Sequence, residues 1–324
     1  MADERCILVT GAGGFVGSAL LPALSRRGCI VRRAVRQDSP GDSSPAQTIA
    51  IGNINGATDW TEALRGVDAV VHLAARTHVL RETASDPRAA FYHVNVDGTR
   101  RLAEQAAAGG VRRMVFLSSV KVNGEKTTAS PFSEDDTPQP ADAYGTTKWE
   151  AEQALRAIER QFGLQVVILR PPLVYGPGVK GNFLRLLTLI SRGWPLPLAS
   201  VHNQRSMVYL GNLVNAIVTC LNAPAAAGHT YLVSDNADVS TPQLVRALAL
   251  RVGVKPRLFP FPPSLLMLGA TALGKSDEAA RLLGSLQVSG ARIHRELGWQ
   301  PPYPVDKGLE ETARWYLDSV NRQS

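Results

Sequence analysis

Six short apolar runs separated by helical stretches predict an α/β chain: a doubly wound parallel sheet followed by a smaller C-terminal α/β region. Two further observations agree. The first run ends in a glycine-rich turn that opens straight into a helical stretch. The runs are also almost continuously apolar, as expected of strands covered by helices on both faces. They fall at 6–10, 30–35, 48–51, 69–73, 113–117 and 165–169, with helices read at 17–27, 88–109 and 142–162. Ser, Pro, Gly and Asp crowd 37–47, which predicts a loop in place of a crossover helix there.

Beyond Arg170 the texture changes, because Pro171-Pro172, Gly176-Pro177-Gly178, Pro195 and Pro197 cut the chain into short pieces. The expected division is 1–175 for the nucleotide-binding part and 176–324 for a mainly substrate-binding part. Within the latter we read helices at 183–191 and 212–221, strands at 207–210 and 230–233, and helices from Pro242, Pro263 and Glu310 onward. The helix at 212–221 is a candidate to pack back on the first part. The apolar 265–273 is too short to cross a bilayer and predicts a buried or peripheral helix.

Composition narrows the class. The 324 residues, 44% hydrophobic and 19% charged, suffice for a large core. No apolar run reaches the roughly 20 residues of a membrane span, and the first five residues lead directly into a strand, so a cytoplasmic protein without a secretory leader is expected. Cys6, Cys29 and Cys220 are far apart in apolar settings, which predicts reduced packing residues and no metal centre. The net charge of +7 is spread over small clusters such as Arg26-Arg27 and Arg112-Arg113, a pattern of solvated helix ends that argues against a nucleic-acid partner.

The turn after the first strand reads Thr10-Gly11-Ala12-Gly13-Gly14-Phe15-Val16-Gly17. Gly11 permits the sharp exit from the strand, Gly14 lets backbone N–H groups approach a pyrophosphate, and Gly17 lets the helix lie close to the sheet. The helix N-terminus adds partial positive charge. This is the phosphate site of a Rossmann-type fold, and its context of strand before and helix after lifts an otherwise weak motif.

The GxxGxxG spacing resembles that of the extended short-chain dehydrogenase/reductases, the NAD-dependent epimerase/dehydratase family. Further matches follow in order along most of the chain: Val70-Val71-His72-Leu73-Ala74-Ala75, Asn95-Val96-Asp97-Gly98-Thr99, Ser118-Ser119, Tyr144-Gly145-Thr146-Thr147-Lys148, and Arg170-Pro171-Pro172-Leu173-Val174-Tyr175-Gly176. The resemblance implies a nicotinamide cofactor contacted by Gly11, Gly13, Gly14, Phe15, Val16, Arg36, Asn53, Ile54, Leu73, Ala74, Ala75, Asn95, Tyr144, Lys148 and Pro171. It also implies a homodimer formed through the helices at 88–109 and 142–162.

Dinucleotide folds that choose NAD usually place an acid at the end of the second strand to hold the ribose 2′-hydroxyl. Here Val35 stands at that point, followed by Arg36, which can pair with a 2′-phosphate. NADPH is therefore expected over NAD. Asn53 replaces the family's adenine-contacting aspartate.

Tyr144 and Lys148 are four apart at the start of a helix, so they share a face one turn apart. A phenol titrates near 10 in water and needs electrostatic help to exchange its proton at neutral pH, which a lysine ammonium can give. The resemblance makes Ser119 their catalytic companion, hydrogen-bonded to the reacting oxygen. Val120 and Lys121 occupy the positions where 4,6-dehydratases carry Asp-Glu, which disfavours dehydration. For the substrate, the resemblance points to Ser119, Lys121, Asn182 and Arg205, with Arg205 on a diphosphate. The Leu297-Gly298-Trp299-Gln300-Pro301 tail is similar to that of sugar-nucleotide enzymes. The expected reaction is NADPH-dependent reduction of a UDP-linked 4-keto sugar, UDP-2-acetamido-2,6-dideoxy-xylo-4-hexulose, in bacterial surface polysaccharide synthesis. The alternative is a UDP-hexose 4-epimerase that keeps NAD bound. A reductase of a non-nucleotide ketone and a non-enzymatic NADP sensor fit the residues less well.

Overall fold

The computed structural model describes residues 5–37, 46–77 and 86–321. In chain order the elements are β1 (Cys6–Thr10), α1 (Phe15–Ser25), β2 (Ile30–Val35), β3 (Gln47–Ala50), α2 (Thr61–Leu64), β4 (Ala69–His72), α3 (Pro87–Tyr92), a π-helical turn (His93–Asp97), α4 (Gly98–Ala108), β5 (Arg113–Leu117), α5 (Ala143–Phe162) and β6 (Gln165–Arg170). There follow β7 (Leu173–Tyr175), α6 (Gly181–Ser191), β8 (Met207–Tyr209), α7 (Leu210–Asn222), β9 (Thr230–Leu232), α8 (Thr241–Arg251), α9 (Pro263–Ala272), α10 (Ser276–Leu283), α11 (Ala291–Leu297) and α12 (Val305–Asn321).

Seven strands form one sheet in the order β3-β2-β1-β4-β5-β6-β9, and every neighbouring pair is parallel. Its central strands are buried from end to end, which explains their unbroken apolar sequences. One face is covered by α1 and α7, whose Leu20, Leu24, Leu213 and Ile217 join Val9, Val71 and Val167. The other is covered by α2, α4 and α5 through Leu64, Leu102, Leu155 and Ile158. A separate core, built from Phe183, Leu187, Leu248, Leu309 and their neighbours, unites α6, α8 and α12. Phe15 packs against both the α1 face and this third core.

The sheet does not end with residue 175. β9 pairs with β6 from 168 to 170, and the intervening β7 and β8 form their own two-stranded parallel sheet. Two departures from the sequence reading bear on the site. The helix read at 88–109 is α3, the π turn and α4 in succession, starting on Asp86, whose carboxylate accepts the Ala89 N–H at 3.0 Å. The π turn contains Asn95, whose amide makes long-range contacts with Arg76 and Thr147. The Pro171-Pro172 break is followed by a strand, β7, paired outside the main sheet. Most of the loop read at 37–47 lies outside the described residues.

Candidate active site

The strand order reverses between β1 and β4, the point at which doubly wound sheets bind ligands beyond the C-terminal strand ends. The glycine turn and Leu73-Ala74-Ala75 converge there. Gly11 has φ +66°, and a Cβ on it would stand 2.7 Å from the Ala74 nitrogen. The Ala74 N–H donates to Thr10 Oγ1 at 3.2 Å. A Cβ on Gly17 would lie 2.3 Å from the Gly11 carbonyl oxygen, so α1 can approach the turn only without one. Gly14 is the N-cap of α1, and no side chain caps that end. An uncapped helix N-terminus, opened by glycine and facing free space beyond Gly13, fits a dinucleotide pyrophosphate.

Arg36 is exposed just past the end of β2, and Asn53 is exposed after β3. Ile54 lies on Gly98, where a Cβ would come within 2.4 Å of its methyl. Asn95 is buried and its amide is engaged: Oδ1 accepts the Arg76 N–H at 2.8 Å, while Nδ2 donates to the Arg76 carbonyl at 3.0 Å and to Thr147 Oγ1 at 3.1 Å. It clamps the chain after β4 onto α5, and the π turn is what turns it inward. Buried Pro171 accepts the Val120 N–H at 3.0 Å and fixes the loop carrying Ser119 to the end of β6.

Ser119 follows β5, and Tyr144 and Lys148 sit in the first two turns of α5. Asp142 caps that helix, accepting the Gly145 N–H at 2.7 Å. The Tyr144 hydroxyl is hydrogen-bonded to Ser119. Burial and then the Asp142 carboxylate push the phenol up to about 12, against the pull of Ser119, so it is protonated at neutral pH. Lys148 is buried with its ammonium 4.0 Å from the centre of the Phe116 ring. Burial brings its pKa down to about 7, opposed by Glu152 one turn on. The expectation that Lys148 lowers the tyrosine pKa therefore needs amendment in this state: burial and Asp142 set the direction, and it is upward.

Two polar groups behind these residues were given no role in the sequence analysis. His72 is fully buried between Thr10 Oγ1 at 2.6 Å and Thr99 Oγ1 at 2.9 Å and stacks on Phe116. Burial, then Lys148, pulls its pKa down to about 3, so it is neutral. Glu152 accepts from Ser118 Oγ at 2.5 Å and binds the Arg170 guanidinium through Nε at 3.0 Å and Nη2 at 2.5 Å. Asn123 Oδ1 takes a further Arg170 N–H at 3.0 Å. The four-residue spacing of Lys148 and Glu152 was the available signal for the second group.

Ser119, Lys121, Tyr144, Asn182 and Arg205 line one cavity of about 570 Å³. Lys121 is ion-paired with Asp142 and, at 2.7 Å, with Glu125, so it enters the site with its charge offset. Asn182 is exposed at the start of α6. Arg205 donates to the Gly284 carbonyl at 2.9 Å and also faces a second, more apolar cavity of about 330 Å³ with Phe183, Met207 and Leu244. Glu278 and Arg281 of α10 line both spaces; no local pattern in the sequence foretold them.

This arrangement, a glycine-rich dinucleotide turn beside a tyrosine, lysine and serine at the mouth of an arginine-lined cavity, defines a nicotinamide-dependent short-chain enzyme. Residues 7–234 match the NAD dependent epimerase/dehydratase family, to which the chain belongs. It is 42% identical over 321 residues to a UDP-glucose 4-epimerase of Vibrio cholerae, covering 98% of this chain and 97% of the relative. It is 30% identical over 323 residues to an N-acetyl-α-D-glucosaminyl-diphospho-ditrans,octacis-undecaprenol 4-epimerase of Escherichia coli O157:H7, covering 95% and 94%. Among solved structures, MoeE5 in complex with UDP-glucuronic acid and NAD superposes with a TM-score of 0.78 at 26% identity, covering 97% of this chain and 99% of that one. The protein is an enzyme of the nucleotide-sugar epimerase/dehydratase type.

Proposed function

We propose that the protein inverts C4 of a UDP-linked hexose, with Tyr144, Ser119 and Lys148 as its catalytic residues and NAD as its resident cofactor. The observation that carries this reading is the cavity shared by Ser119, Tyr144 and Arg205, in a chain aligned almost end to end with a UDP-glucose 4-epimerase. A nicotinamide dinucleotide held by its pyrophosphate at the glycine turn would supply the means to take up a hydride and give it back. The chain's own residues do the rest. Tyr144 exchanges its phenolic proton with the sugar 4-oxygen, and Ser119, already hydrogen-bonded to that phenol, steadies the same oxygen. Lys148, when protonated, offsets phenolate charge one helical turn away. Arg205 and Asn182 hold the diphosphate, and the apolar space beside Phe183 and Leu244 accepts the base. No carboxylate occupies position 121, where elimination would need one.

One observation favours a second reading, reduction of a UDP-linked 4-keto-6-deoxy-N-acetylhexosamine by NADPH. β2 runs into exposed Arg36 with no acid at its end. A single set of assays separates the two. The epimerase reading expects conversion of UDP-glucose or UDP-N-acetylglucosamine to the galacto form without added cofactor, and NAD released on denaturing the purified protein. NADPH loss at 340 nm with the 4-keto product of a 4,6-dehydratase, and no C4 inversion, would replace it with the reductase.

A further inference from the structure

α9 reads Pro-Ser-Leu-Leu-Met-Leu-Gly-Ala-Thr-Ala, and although nearly all apolar it contains no buried residue. Only one side rests on the protein, through Leu266, which joins the core of α6, α8 and α12. The other side leaves Leu268 67% exposed, and Leu273 just beyond the helix is 76% exposed. A soluble surface does not ordinarily leave such a group of leucines in water. The patch extends through the backbone. The segment before α9 lies alongside the one after α6, with Leu196 N–H donating to Arg257 at 2.8 Å and Ala199 N–H to Phe259 at 3.2 Å. Exposed Phe259 and Trp194, the latter 58% accessible, therefore belong to the same region of the surface.

The segments leading into the patch carry only cations, whereas α10, packed against α9, opens with exposed Asp277 and Glu278. The sequence has no Asp or Glu from 239 to 276, and none from 160 to 234. Arg192, Lys255, Arg257 and Lys275 are all exposed on the segments flanking the apolar groups. An apolar helix, an exposed tryptophan on the segment paired with the chain leading into it, and a surplus of flanking cations make the composition of a surface that lies in the interface of an anionic bilayer. None of the described helices is long and apolar enough to cross one.

We propose that α9, with the neighbouring turn at Trp194, docks this protein peripherally on an anionic lipid surface. The leucines and the tryptophan enter the headgroup boundary while the four cations pair with lipid phosphates. α10, packed against α9, carries Glu278 and Arg281 into the cavity at Ser119 and Tyr144, so docking would place that cavity beside the bilayer surface.

The test is flotation of the full-length protein with phosphatidylcholine vesicles, with and without about one-third phosphatidylglycerol. The wild type is expected to float with the anionic vesicles, less so as salt rises. Leu268→Glu/Leu273→Glu should cut the bound fraction about tenfold, with its melting temperature unchanged because neither side chain is buried. Lys255→Glu/Arg257→Glu should remove the preference for phosphatidylglycerol. Wild type that stays at the bottom of the gradient with both vesicle types would overturn the proposal. So would a dimer in light scattering that the leucine variant turns into a monomer, since the patch would then belong to a second copy of the chain.

Discussion

Acidification should weaken this protein through His72, and the size of the effect follows from where the ring sits. In the unfolded chain the imidazole takes a proton near 6.5, whereas in the folded site, buried and facing Lys148, it does so only at about 3. Between those values the unfolded state binds more protons than the folded one, so stability rises with pH across the window and falls as pH drops from 6.5 toward 3. Each unit is worth about 1.4 kcal/mol, so pH 4.5 should cost about 2.7 kcal/mol and the full window about 5 kcal/mol. Domains of ordinary stability hold only about 5–15 kcal/mol in total. The assay is a pair of urea titrations, at pH 7 and pH 4.5, on the wild type and on His72→Asn. The asparagine variant loses contacts with Thr10 and Thr99 and should be less stable at pH 7, but its decline on acidification should be smaller by about 2.7 kcal/mol. Parallel declines in the two proteins would refute the reasoning, because the ring would then be titrating alike folded and unfolded.

Three other outcomes can be checked at the bench. Tyr144→Phe should lower turnover by roughly 10²–10⁴ while dinucleotide affinity in a fluorescence titration stays within about threefold; unchanged turnover would remove the phenol from the chemistry. Gly17→Ala should be destabilised by about 1–3 kcal/mol or more in a thermal melt, since its Cβ meets backbone at 2.3 Å, whereas Gly13→Ala meets nothing within 4 Å and should melt like the wild type. A weakened dinucleotide affinity in Gly13→Ala alone would then place the pyrophosphate over that residue. Glu152→Gln strands the Arg170 guanidinium in a buried site and should cost about 3–5 kcal/mol in urea, while Glu152→Met with Arg170→Met should cost less than the single change.

Much of this architecture is legible locally. The central strands β1 and β4 announce themselves because they are buried throughout and therefore continuously apolar, and the glycine turn because its backbone tolerates no side chain at Gly11 or Gly17. Tyr144 and Lys148 could be paired because one helical turn separates them. What escaped were features set by distant partners. The π turn holds Asn95 in contact with Arg76 and Thr147, partners distant in sequence. β7 follows two prolines and finds its partner more than thirty residues away. The charge state of Tyr144 depends on its burial and on Asp142, which the sequence showed only as a helix start. Cofactor choice is the instructive divergence: Arg36 argues for NADPH, and the solved MoeE5 complex contains NAD.

Arg113, in β5, donates to the carbonyls of Cys220, Leu221 and Ala223 at 3.0, 3.1 and 2.7 Å, gathering the end of α7 to the middle of the sheet. During synthesis, the strand bearing that arginine leaves the ribosome about a hundred residues before the carbonyls it needs. Until they arrive, Arg113 Nη1, the open edge of β6 and the bare α1 face all wait on later stretches of chain, while Nε and Nη2 can already bond Gln165. The sheet can be completed only after β9, at residues 230–232, has also been released.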